Sequence, residues 1–332
     1  MRSSITLLLI LFTLQSVKAQ PTVRFDKGTD LCEHAVWKLV WSDEFSSTSL
    51  DTRKWYTFID NENWADGRVA DPPIAAAARN GEMVIYKDKN VTVRDGYCQL
   101  HLKYDPDSFL GGYRNFSSGM IMARNPNASQ PLYFNRGKYE IRARLPVTPG
   151  VWATFWLFGG GAPNVNKTEI DMFEYNPCAS RLKELPYHIH GNHRGPEHKT
   201  HYEVTGRTKS KTLNDWHVYT TEWDRNFIRL YMDGELRGSV RRYASDCNPD
   251  INKQYTEDPD NVFPRQDEFM KLIVNFDYTK DMYTRNFLGI CTPIPGWLAN
   301  REKWDARQPE RIFEIDYVRV YQRTGEVQEN LR

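Results

Sequence analysis

TEIDMFEYNP, residues 168–177, places Glu169, Asp171 and Glu174 within six positions and sets two bulky apolar residues, Met172 and Phe173, before the last of them. On a helix an offset of two residues turns a side chain by about 200° and an offset of five by about 140°, so the acids would point apart. On a strand Glu169 and Asp171 share one face, while Ile170 and Met172 share the other. Plain alternation then puts Phe173 with the acids and Glu174 with the hydrophobes. A β-bulge at Met172–Phe173 removes the conflict, because one inserted residue shifts the parity and returns Glu174 to the acidic face.

The segment before it supports this reading. GVWATFWLFGG (150–160) alternates Trp152, Thr154 and Trp156 with Ala153, Phe155 and Leu157. A sheet face carrying two tryptophans beside three acids is a cleft, since burying unpaired carboxylates in a core is very costly. Period two recurs along the chain: KYEIRARL (138–145), FEIDYVRVYQR (313–323), and FIRLYMDGELRGSVRR (227–242), a hairpin with Asp233-Gly234 at its turn. FMKLIVNF (269–276) is apolar enough for a strand buried on both faces. There is no long 3.6-period segment and no repeat. Many short strands joined by Gly/Pro/Asn loops predict an all-β fold, a jelly-roll sandwich of two antiparallel sheets. Residues 244–266 and 277–308 read as loops on one domain.

Residues 1–19 have the form of a secretory signal: Arg2, an apolar core from Ile5 to Leu14, then Val17 and Ala19 before a cut ahead of Gln20. The core is too short to span a membrane. The expected organisation is a signal peptide at 1–19, one catalytic domain at 20–323 and a tail at 324–332, secreted as a monomer without a membrane anchor after cleavage. A net charge of +1 argues against a general nucleic-acid binder. Aromatics make up 13% of the chain, more than a core usually needs, and displayed rings are platforms for sugars. Cys32, Cys98, Cys178, Cys247 and Cys291 form no metal pattern; some could pair as disulfides, and the odd count leaves at least one over. Asn90, Asn115, Asn127 and Asn166 each begin an N-x-S/T sequon.

EIDMFE resembles the E-[IL]-D-x-x-E signature of glycoside hydrolase family 16 in its bulged, laminarinase-like form. Four further blocks are similar to that family in the same order: LVWSDEFSSTSLDTRKW (39–55), GKYEIRARLPVTPGVWATFWLFG (137–159), DWHVYTTEWDRNFIRLYMDGEL (215–236) and IDYVRVYQR (315–323). The resemblance implies a concanavalin A-like jelly roll with a concave cleft and retaining hydrolysis of internal β-1,3 or mixed β-1,3/1,4 bonds of a β-glucan polysaccharide. By motif position it implies Glu169 as nucleophile, Glu174 as general acid/base and Asp171 as helper. No cofactor is implied for catalysis. Many members carry a structural calcium ion, for which Glu44 and Asp316 are the candidate carboxylates.

A retaining glycosidase needs its two carboxyls about 5–5.5 Å apart. Four strand steps separate Cβ atoms by about 13 Å, so the bulge must shorten the span and two long Glu side chains must lean together. Mutual repulsion raises at least one proton affinity, expected at Glu174, which must deliver a proton. Trp152 and Trp156 are candidate stacking platforms, and Asn275 resembles a family position lining the cleft. His190 is a candidate sugar contact near Glu174. His188, His190 and His193 also spell H-x-H-x-x-H, which could hold zinc in an unrelated enzyme. Basic residues between 194 and 211 fit either a solvated loop or recognition of a sulfated galactan. Transglycosylation uses the same covalent intermediate, and a non-catalytic glucan-binding protein is the reading that intact acids disfavour.

Overall fold

The computed structural model describes residues 36–57, 84–109, 112–127, 131–147, 151–159, 168–175, 184–191, 200–207, 213–224, 227–241, 264, 268–278 and 310–323. The signal segment, Cys32, Cys178, Cys247, Cys291, Asn166, His193, most of both long loops and the tail lie outside them. So do residues 194–199 and 208–211 of the basic stretch.

The described residues form two sheets. Sheet A runs in spatial order β16 (Glu235–Arg241), β15 (Phe227–Met232), β14 (Trp216–Trp223), β9 (Gly137–Arg144), β18 (Glu310–Arg323), β5 (Tyr97–Phe109), β6 (Gly112–Ser118) and β3 (Val84–Tyr86). In the same sheet β1 (Trp37–Asp43) pairs with β18 and β4 (Val91–Arg94) with β5. Sheet B runs β13 (Thr200–Arg207), β12 (Glu184–Gly191), β11 (Glu169–Tyr175), β10 (Val151–Gly159), β17 (Met270–Tyr278), β7 (Met120–Ala123) and β2 (Trp55–Thr57), with β8 (Tyr133–Phe134) on β17. This is the expected all-β sandwich.

The alternating segments supply its two inner faces. From sheet A, Tyr139, Ile141, Ala143, Phe313, Ile315, Val318 and Val320 enter the core; from sheet B, Ala153, Phe155, Leu157, Ile170, Leu272, Val274 and Phe276 meet them. Strand β18 does not alternate throughout as its sequence suggests. Its pairing with β9 slips between Ile315 and Tyr317, so the inward parity changes from Phe313/Ile315 to Val318/Val320. The polar row of β9 is also less exposed than alternation suggests: Lys138 and Glu140 are buried, and the Lys138 ammonium lies 4.2 Å from the Tyr321 ring centre.

Strand β17 is buried along its whole length, as its apolar run predicts, but it continues through Asp277 and Tyr278, which sequence patterning assigns to a loop. The hairpin turn at Asp233-Gly234 is of type I′, with φ of 52° and 77° at its two central residues. Asp43 ties the opening strand to sheet B by accepting the Trp55 indole N–H at 2.8 Å. Two modification expectations change. Asn90 is fully buried, its Nδ2 donating to Ser117 Oγ and the Ser118 carbonyl, so this sequon is closed to a glycan in the folded chain. Cys98 is a free buried thiol, and burial pushes its pKa well up.

Candidate active site

Strand β11 carries the predicted bulge. Against β10, Phe173 faces Phe155 and Asp171 faces Trp156, so Met172 is the extra residue. Met172 and Phe173 both point into the core. The Phe173 ring anchors the distortion: its centre lies 4.8 Å from Tyr219 and 6.2 Å from Phe313, both on the opposite sheet. Truncating a phenylalanine buried in this way costs roughly 3–5 kcal/mol, so the core holds the bulge in place.

The start of β11 is clamped as well. The carboxylate of Glu268 accepts the Thr168 backbone N–H at 3.0 Å and its hydroxyl at 2.8 Å. Gly159 makes room for that carboxylate, since a Cβ there would stand 2.2 Å from Glu268 Oε1.

With parity restored, one face of sheet B collects the site. Glu174 lies opposite Thr154, Asp171 opposite Trp156 and Glu169 opposite Phe158. From the other side His190 faces Glu169 and His188 faces Asp171. Asp171 is 2% exposed, while Glu169 and Glu174 keep part of their surface. Burial, followed by the charge of Asp171, holds the Glu169 carboxyl well above the usual carboxylate range. Burial, followed by the charge of Glu174, does the same to Asp171. The contact between the two carboxyl groups favours the proton on Glu169 and the charge on Asp171, although burial raises both. Sequence reasoning expected mutual repulsion to raise at least one proton affinity among the three acids; burial and crowding raise those of Glu169 and Asp171.

The histidines take different partners from those expected. His188, singled out from sequence only as a zinc candidate, is buried with Nδ1 against Glu174 Oε2. His190 reaches Asp171 Oδ2 at 3.1 Å and is the more exposed of the two. One ligand atom from each of Asp171, Glu174, His188 and His190 lies within 4.8 Å of all the others, so this is the group of side chains that could hold a metal among the described residues.

Asn275 is chiefly a support. Its Oδ1 accepts the Trp156 indole N–H at 2.8 Å and the Thr154 hydroxyl at 2.5 Å, and its Nδ2 donates to the Tyr86 hydroxyl at 3.1 Å. Tyr86 in turn donates to Asp277 at 2.6 Å. Sequence reasoning missed Tyr86, Thr154 and Asp277; only the pairing of Thr154 with Asn275 and of Trp152 with Asp277 reveals the set. Of the two candidate platforms, Trp156 is half-buried with ring surface left, whereas Trp152 is 8% exposed and is corrected to a packed residue.

The candidate calcium carboxylates do not fit an ion. Arg319 grips both oxygens of Glu44 at 2.8 and 2.7 Å, Arg142 holds Asp316, and neither acid joins a group of three or more ligands among the described residues.

Residues 79–263 match the family described as Glycosyl hydrolases family 16. The chain belongs to glycoside hydrolase family 16. This family 16 chain is 29% identical over 302 residues to glucan endo-1,3-beta-glucosidase A1 of Niallia circulans, an alignment covering 85% of the chain but only 37% of that relative's length. It is 28% identical over 225 residues to a beta-glucanase of Rhodothermus marinus, covering 63% of the chain and 68% of the relative. Its fold matches the catalytic domain of a laminarinase from Thermotoga petrophila with a TM-score of 0.60 at 22% identity, over 88% of this chain and all of that one.

Proposed function

We propose that this family 16 protein is a retaining endo-β-glucanase acting on internal β-1,3 or mixed β-1,3/1,4 bonds. The observation that carries the reading is the Met172 bulge, which turns Glu169 and Glu174 to one face on either side of Asp171. Both long acids can then reach a sugar lying along the sheet beside Trp156. The two relatives named above are glucanases, which supports the substrate class.

In this reading Glu169 attacks the anomeric carbon while Glu174 gives its proton to the departing glycosidic oxygen. During attack the proton of the Glu169–Asp171 pair resides on Asp171, which donates a hydrogen bond to one oxygen of Glu169 and leaves the other, ionised oxygen to attack. A covalent glycosyl-enzyme results. Glu174, now ionised, takes a proton from water, and the resulting hydroxide equivalent displaces Glu169 with net retention. His188 fixes the orientation of the Glu174 carboxylate, and Asn275 holds the Trp156 indole where a ring can stack. Export follows from the N-terminal signal pattern and belongs to the same proposal.

The test is a product profile on laminarin, lichenan, agarose and carrageenan, with the first-formed anomer read by proton NMR. Oligosaccharides from laminarin or lichenan that first appear as the β-anomer are expected. Cleavage of agarose or carrageenan alone would overturn the substrate class, and a first-formed α-anomer would overturn the retaining mechanism.

A further inference from the structure

The cluster of Asp171, Glu174, His188 and His190 has a property that glycoside hydrolysis does not use. Its four donor atoms lie within 4.8 Å of one another, and two of the side chains, Asp171 and His188, are more than nine-tenths buried. Asp171 Oδ2 stands 3.1 Å from His190 Nε2 without the alignment of a hydrogen bond. A buried carboxylate oxygen is thus aimed into the cluster without a directed donor. We propose that the cluster is a reversible binding site for a divalent transition ion such as Zn2+, held by both imidazoles and one oxygen from each acid, and that the bound ion shuts the site.

The donor set suits such an ion. Tetrahedral zinc takes imidazole nitrogen and carboxylate oxygen at about 2.0–2.2 Å, which sets neighbouring donors roughly 3.4 Å apart, a modest contraction from the observed spread. Two carboxylates and two neutral imidazoles would balance the ion's charge while relieving the repulsion between the acids. Calcium and magnesium are poor occupants, because hard cations seek oxygen and two of these donors are nitrogen. The cluster comes from two adjacent strands in direct register, β11 and β12, so closing on an ion needs side-chain motion only. Binding does not depend on the glucanase reading. Inhibition does, because the ion would occupy the acid proposed to donate the proton and the one that orients the nucleophile.

Isothermal titration of the full chain with ZnCl2 tests this, with equilibrium dialysis and metal analysis for stoichiometry. The pH should be about 7.5, above the ordinary imidazole range, so that protons compete little with the ion. One ion per chain with micromolar affinity is expected, weakened by about tenfold or more in His190→Ala and His188→Gln, with no uptake of Ca2+ at the cluster. His190 is the safer truncation because it is the more exposed; tryptophan fluorescence of both variants checks folding. Laminarin hydrolysis should fall with the same Zn2+ dependence and return on chelation. No stoichiometric uptake, or uptake unchanged in both folded variants, would overturn the proposal. Histidine-dependent uptake by a protein that hydrolyses no glucan would leave the ion site standing and sink the glucanase reading instead.

Discussion

Replacing Asn275 by alanine gives a magnitude that can be worked from the structure. Asn275 is 7% exposed, so its hydrogen bonds are made away from water. Three side-chain bonds go: from the Trp156 indole at 2.8 Å, from the Thr154 hydroxyl at 2.5 Å, and to the Tyr86 hydroxyl at 3.1 Å. They are not equal losses. The Thr154 hydroxyl can turn to the backbone carbonyl of residue 275, already 3.4 Å away, and Tyr86 keeps its bond to Asp277. The indole N–H loses its charge-free acceptor outright, at about 1–3 kcal/mol, and the space left by the amide adds roughly 1 kcal/mol. The expected destabilisation is therefore ~2–4 kcal/mol, against ~1 kcal/mol for Thr154→Val, which removes one bond only. Urea unfolding followed by tryptophan fluorescence reads this as a shift in midpoint at constant slope. KM should rise more than kcat falls, because the Trp156 ring is released while the acids stay in place. Stability of Asn275→Ala within about 0.5 kcal/mol of the parent would refute the claim that this amide holds the cleft face together.

Asp171→Asn removes the charge that, after burial, most raises the proton affinity of Glu169. Glu169 must be ionised to attack, so the acidic limb of kcat/KM should move to lower pH; a pH–rate profile with an upward or absent shift would contradict the assignment. Gly159→Ala places a methyl 2.2 Å from Glu268 Oε1 and must break the clamp on Thr168, costing about 1–3 kcal/mol by urea unfolding and lowering turnover. Gly234→Ala forces a side chain into the left-handed turn of a hairpin remote from the acids, at about 1 kcal/mol, with kcat/KM unchanged.

The bulge was legible in the sequence because only an extra residue reconciles the parity of Glu169 and Asp171 with that of Glu174 while keeping Met172 and Phe173 inside. The sheet core was legible in the alternation of β9 and β10 and in the continuous apolar run of β17. What sequence could not supply was the partner across the face. Tyr86 and Asn275 are separated by 189 residues and lie on strands of different sheets, so nothing local in the sequence pairs them. His188 is in register with Asp171, yet its Nδ1 lies against Glu174 Oε2, a contact that register alone does not give. Asp316 was a calcium candidate through the family resemblance alone, and Arg142 on the neighbouring strand is the partner that one strand's sequence does not show. Trp152 and Trp156 share a face and a residue type, yet Trp152 is buried and Trp156 only partly so, a distinction that alternation alone does not carry.

The central claim is that the Met172 bulge makes Glu169 the nucleophile and Glu174 the acid/base. Azide rescue of the two alanine variants on an activated aryl β-glucoside oligomer tests it most directly, because the small anion takes the place of whichever carboxylate is missing. Glu169→Ala with azide should yield the α-glycosyl azide by single inversion. Glu174→Ala should form the glycosyl-enzyme without acid help and yield the β-azide. The reversed pair of anomers by NMR, or undiminished hydrolysis in either variant without azide, would contradict the assignment.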